Sequence, residues 1–120
     1  MPNKIQSSNK KYDLSERTAR FAENSIDFAR KMPDDGINRP ILNQFIRAAT
    51  SIGANYMEAD CAESKKDFKH KIAICKKESK ETTYWLRIIA KANPSLISDC
   101  RELWQESHEL TLIFSSIFKS

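Results

Sequence analysis

The sequence is poor in the residues that make turns. It holds only two glycines, Gly36 and Gly53, and four prolines, Pro2, Pro33, Pro40 and Pro94, too few for a fold built from many short strands and tight connections. His70 and His108 are the only histidines. Neither stands in an H-E-x-x-H or Cys/His spacing, so both read as surface histidines and no metal site is expected. A di-iron centre of the kind helical bundles hold needs two Glu-x-x-His runs, and the stretch Asp67 to His70 is a single approximation to one. No glycine-rich phosphate loop and no G-x-S-x-G elbow is present, so no cofactor and no catalytic residues are expected.

Cys61, Cys75 and Cys100 are odd in number, contain no C-x-x-C pair and fall in segments with helical patterning, which points to free thiols in a reducing compartment. Cys75 and Cys100 occupy core positions, where thiols are normally inert. Cys61 is the one thiol placed to react, and Asp60 and Glu63 beside it disfavour the thiolate. Nowhere do eighteen apolar residues stand together, and the opening MPNKIQSSNKKYD has no apolar run of signal-peptide type. A soluble, cytoplasmic protein is therefore expected, with no membrane partner.

What the sequence does have is helical periodicity. Its 120 residues, 40% hydrophobic and 30% charged, suffice for one domain with a real core. Residues 1–12 are polar and carry Lys4, Lys10 and Lys11 without periodicity, which reads as a flexible basic arm. Asp13 with Glu16 opens a helix with core positions Leu14, Thr18, Phe21, Ser25, Phe28 and Met32, ended by Pro33-Asp34-Asp35-Gly36. A second helix starts near Asn38, read as its cap, with Pro40 in the first turn. Its stripe is Ile41, Phe45, Ala48, Ile52, Tyr56 and Ala59.

Ser64 with Asp67 caps a third helix, whose stripe is Phe68, Ile72, Cys75, Ser79, Thr82, Leu86 and Ala90 and which ends at Asn93-Pro94. The fourth helix runs to the C-terminus with Leu96, Cys100, Leu103, Ser107, Leu110, Phe114 and Ile117 on one seam. Ile97, Trp104, Thr111 and Phe118 lie beside that seam. Helices of this length joined by short connections predict an all-α, antiparallel, up-down-up-down four-helix bundle over 13–120.

Three surfaces are left once the core is assigned. On a wheel of about 100° per residue, Lys65, Lys66, Lys69, Lys76, Lys77, Lys80, Arg87 and Lys91 share an arc of roughly 120° on the third helix. This basic stripe extends roughly 39 Å, enough to follow a nucleic-acid backbone or an acidic protein face, and a solvated lysine face is the plain alternative. Tyr84 is the one aromatic in that arc. On the far side, Ile74, Trp85 and Ile88 lie off the core arc among Asp67, His70, Glu78 and Glu81, as a subunit interface would place them, or as part of a wide core stripe.

On the second helix, Arg47, Ser51, Ala54 and Glu58 form a narrow stripe with Asn55 at its edge, either an ordinary polar face or a packed contact across a subunit boundary. Gly53 sits mid-helix nearby at a cost of about 1 kcal/mol against alanine, a hint of close approach by another backbone.

The stretch LNQFIRAATSIGANYMEA, Leu42 to Ala59, resembles the signature of the four-helix bundle proteins encoded in intervening sequences of 23S rRNA genes. The match rests on Arg47-Ala48-Ala49, Ser51-Ile52, Asn55 and Glu58 in register, then SKKDF from Ser64 and KESKETTYWL from Lys77. Ala59-Asp60 departs from the glycine that many members carry after the glutamate. The resemblance implies an antiparallel bundle assembled into a ring, a homopentamer, with no established enzymatic role. The family is also similar to the accessory variability proteins of diversity-generating retroelements, basic pentameric barrels that engage nucleic acid. The expectation is thus a non-enzymatic homo-oligomeric scaffold binding RNA or DNA through its basic face, the alternative being an adaptor that docks an acidic partner protein.

Overall fold

The computed structural model describes residues 13–120, so the basic arm read at 1–12 lies outside the described residues. Four α-helices follow in order: α1 (Leu14–Ala29), α2 (Asn38–Asp60), α3 (Lys65–Ala92) and α4 (Ile97–Lys119), with a 3₁₀ turn at Pro94–Leu96 before α4. No strand occurs among the described residues, and the helices pack as an all-α bundle in which α3 lies between α2 and α4 and α2 between α1 and α3. The Asp13 side chain accepts from the Glu16 N–H and the Ser64 side chain from the Asp67 N–H, so both starts are capped as the sequence predicts.

The α1 seam is buried as read: Leu14, Thr18, Phe21, Ser25, Phe28 and Met32 all face the interior. Phe28 meets Phe45 of α2 edge to face at 5.8 Å, the arrangement ring quadrupoles favour. At Gly53 α1 and α2 approach closely, since a Cβ there would lie 3.0 Å from the Thr18 hydroxyl and 3.5 Å from its backbone carbon. The close approach expected of that glycine is real, and it is made within the chain.

Two local readings are corrected. Ile89, and not Ala90, continues the α3 core, being fully buried while Ala90 is half-buried. Phe68, Cys75 and Thr82 repeat every seven residues and the next position of that series is 89, one step of three beyond Leu86. Asn38 is not the cap of α2 either. Asp35 accepts from the Ile37 and Asn38 N–H groups at 3.0 and 2.8 Å and from the Asn38 side-chain amide at 3.3 Å. That amide is buried in a reciprocal pair with Asn93, at 3.0 and 2.9 Å, and ties the start of α2 to the end of α3.

Small hydroxyl residues fill the middle of the bundle. Ser107 of α4 donates to the Ser79 carbonyl of α3 at 2.8 Å, which needs both helices to come close and explains serine on both seams. Ser25 is the exception, since its buried Oγ has no hydrogen-bond partner among the described residues. Burying an unbonded hydroxyl costs about 1–3 kcal/mol. Ser25→Ala is therefore expected to stabilise the fold by about 1 kcal/mol, read as a higher urea midpoint; a lower midpoint would mean that the hydroxyl has a partner.

Candidate nucleic-acid interface

The basic stripe of α3 is exposed along its length. Lys65, Lys66, Lys77, Lys80, Arg87 and Lys91 are exposed, and Lys69 and Lys76 are half-buried. None of them takes part in an ion pair among the described residues, whereas Arg17, Arg20, Lys31, Arg39, Arg47 and Lys71 each pair with a carboxylate. Lys77 acts on the Glu81 carboxylate through space, and with no close ion pair along it the stripe presents positive charge outward, of the sign that attracts phosphate.

α4 lays an aromatic row beside these cations. Lys69 Nζ stands 5.3 Å from the centre of the Phe118 ring, a cation–π contact that puts Phe118 next to the stripe. Trp104 lines a cavity between α3 and α4 together with Arg87 and Arg101, and its indole stacks on His108 at 4.9 Å with 13° between the rings. Trp104 and Phe118 are each 39% exposed, and Ile97 is 42% exposed. The second α4 seam, expected to flank the core, therefore opens outward beside the lysines.

These residues were missed from sequence because the wheel of α3 alone shows only Tyr84 among the cations. The signal was present in the heptad spacing of Ile97, Trp104 and Phe118. The side of the bundle between α1 and α4 has the opposite character. Its groove is lined by Asp27, Asp99, Glu102 and Glu106, with Arg17 bonded to Glu106 at 2.6 Å and Lys31 to Asp99 at 3.1 Å.

The other two predicted surfaces lie on either side of the α2–α3 packing. Trp85 is half-buried and packs against the core, and Ile74 and Ile88 are half-buried as well. α2 covers that side of α3. The α2 stripe is turned toward α3: Arg47 donates to Glu78 at 3.2 Å and pairs with Glu81, while Glu58 pairs with Lys71 at 2.7 Å. The Trp85 indole N–H donates to Glu81 at 3.0 Å. Ser51 and Asn55 bond backbone carbonyls of their own helix, those of Ala48 and Ser51. The indole hydrogen bond, followed by the Arg47 guanidinium, holds the Glu81 carboxyl below its ordinary range.

Among the described residues no group of three or more His, Cys, Asp and Glu side chains is placed to hold a metal ion. Burial pushes the Cys75 thiol up to about 12 and the Cys100 thiol up to about 11, so neither supplies a thiolate near neutral pH. Cys61 is exposed. No helix among the described residues is long and apolar enough to cross a membrane.

A family model described as 23S rRNA-intervening sequence protein matches residues 10–116. The chain belongs to that family. Among solved structures, it is similar to a protein of unknown function from the S23 ribosomal protein family of Bacteroides thetaiotaomicron VPI-5482, with 28% identity over 89% of this chain and 96% of that one and a TM-score of 0.81. No curated protein matches. The resemblance carried by Arg47, Ser51, Asn55 and Glu58 is thereby established as family membership. In this member, Arg47 and Glu58 serve as cross-links between α2 and α3.

Proposed function

We infer that this member of the 23S rRNA-intervening sequence protein family is a non-enzymatic scaffold that binds nucleic acid, RNA in the first place, through the outer face of α3 and α4. The observation that carries the reading is the row of unpaired cations from Lys65 to Lys91 with Trp104 and Phe118 beside it. Lysines on a regular helix present charge at intervals without base-specific geometry, so the binding is phosphate-driven and general in sequence. The names of both families, 23S rRNA-intervening sequence protein and S23 ribosomal protein, refer to ribosomal material, which supports RNA over DNA.

The helices run antiparallel, up-down-up-down, in this reading. Arg17 near the start of α1 bonds Glu106 and Glu109 around the middle of α4, and Lys31 just beyond α1 bonds Asp99 at the start of α4. Assembly into a homopentameric ring follows from the family resemblance, and it would repeat the basic face around the assembly. Light scattering at micromolar concentration is expected to give a mass several times the 13.8 kDa of the chain; a monomer would overturn the ring.

Filter binding of a structured RNA tests the function. Binding that weakens steeply with salt is the expected result, and absent or salt-insensitive binding would sink the reading. The same face could instead dock an acidic protein, and recovery of one protein partner after nuclease treatment, with no RNA affinity, would favour that adaptor.

A further inference from the structure

The cavity between α3 and α4 measures about 320 Å³, at the lower end of the roughly 300–1,000 Å³ typical of small-molecule sites. Leu86 and Ala90 of α3 and Ile97, Cys100 and Trp104 of α4 give it an apolar lining, and its two polar side chains are Arg87 and Arg101. Both arginines are exposed and neither is in an ion pair among the described residues. No carboxylate lines the cavity, in contrast to the α1–α4 groove with Asp27, Asp99, Glu102 and Glu106.

The indole is held in place for a ligand. His108, one turn C-terminal to Trp104, stacks on it, while the α4 residues of the cavity, Ile97, Cys100 and Arg101, lie N-terminal to it. Trp104 lines the cavity and is 39% exposed, so the indole that stacks on the imidazole is still reachable from solvent. Arg87 belongs both to the cavity and to the basic stripe, so a polymer lying along the lysines passes its mouth.

We propose that this cavity receives one unstacked base of a single-stranded nucleic acid, stacked on Trp104, with the flanking phosphates held by Arg87 and Arg101. The proposal rests on the nucleic-acid reading above and makes it specific. An apolar slot with an aromatic wall accepts the face of any base, and a guanidinium matches phosphate oxygens in a planar, two-point fashion. A duplex keeps its bases stacked inside and offers this cavity nothing but phosphates. The two arginines would attract an acidic peptide as well; the apolar lining with Trp104 beside them favours a nucleotide, in which an apolar base face and a phosphate are covalently joined.

The test compares an unstructured single-stranded RNA with a duplex of equal length, on the full chain at one fixed salt concentration. Trp104→Ala is expected to weaken single-strand binding by about 5- to 100-fold while changing duplex binding by less than about twofold, and Trp104→Phe should restore most of the loss. In a Trp85→Phe background, Trp104 is the one remaining tryptophan of two, and its fluorescence should be quenched by the single strand and not by the duplex.

Equal losses for strand and duplex, or no loss for either, would overturn the proposal. It would also fail if Trp104→Ala reduced the mass of the assembly and the indole were shielded from iodide without RNA, because a second copy of the chain would then fill the cavity. A wild-type chain that binds neither polymer defeats the nucleic-acid reading itself; one that binds both equally, with salt dependence, defeats only the base pocket.

Discussion

Changing Lys69, Lys76 and Lys80 together to glutamate is expected to weaken binding of a structured RNA by about 10²- to 10⁴-fold. Unit charges at contact distance in water interact by about 1 kcal/mol, and reversing a charge adds about as much again in repulsion. Three positions then amount to about 3–6 kcal/mol, or two to four decades in affinity. The fold should tolerate the change, because none of the three is in an ion pair among the described residues and surface substitutions mostly stay within about 0.5 kcal/mol. Lys69 does lose its contact with Phe118, so thermal unfolding should accompany the binding assay. Changing Arg20, Arg30 and Arg39 to glutamate alters the net charge equally. Arg20 lies on α1, Arg30 just after it and Arg39 in the first turn of α2; none belongs to the α3 stripe, and this control is expected to lose far less affinity.

The second large effect belongs to stability. Glu78 is a buried carboxylate, 7% exposed, and Arg47 is the cation that bonds it while also holding Glu81. Arg47→Ala leaves the Glu78 carboxylate without that partner in a desolvated seam, and the expected loss is about 1–3 kcal/mol. The upper figures for broken buried pairs are discounted here because the guanidinium itself is half exposed. Arg47→Lys should recover little, since a single ammonium cannot bridge two carboxylates as the planar fork does.

The seam also predicts a pH dependence. The folded-state pKa of Glu81 lies below its ordinary value because of the Trp85 indole and Arg47. Its contribution is therefore complete above the ordinary carboxylate range and is lost as pH falls through the lowered value. Urea unfolding at pH 7 and pH 3 should show the gap between wild type and Arg47→Ala narrowing at pH 3. A gap that widens on acidification would contradict the assignment.

Much of this architecture was legible in the sequence because local signals and the core pattern agreed. Asp13 with Glu16 and Ser64 with Asp67 marked helix starts by cap chemistry, and the six α1 core positions were readable from heptad spacing alone. Errors arose where a residue's role is set by a neighbouring helix. Asn38 has the composition of a cap, yet Asp35 takes that role and Asn38 pairs with Asn93, fifty-five positions away. Arg47 and Glu58 look like one polar face on a wheel of α2, and only the position of α3 turns them into cross-links. The lysine row was fully visible in α3, whereas its aromatic companions belong to α4, whose placement a single-helix wheel does not contain.

The family signature is explained by the same geometry. Ala48 and Ala49 are completely buried, Gly53 admits Thr18 of α1, and Arg47 and Glu58 reach α3. In this member the stretch from Leu42 to Ala59 makes α2 the strut that both neighbouring helices grip, so its composition reports packing before any ligand. The lysine stripe lies elsewhere, on the outer face of α3, and that separation lets it be altered without dismantling the bundle.

The most direct test of the central claim is the slope of log K against log salt for a structured RNA, measured on wild type and on the variant with glutamate at Lys69, Lys76 and Lys80. Each phosphate contact contributes about −0.9 to the slope on duplex DNA and somewhat less on single strands. A steep negative slope for wild type, shallower by about 3 in the variant, is the result predicted by phosphate contacts along α3. Equal slopes for the two proteins, or a wild-type slope near zero, would contradict it.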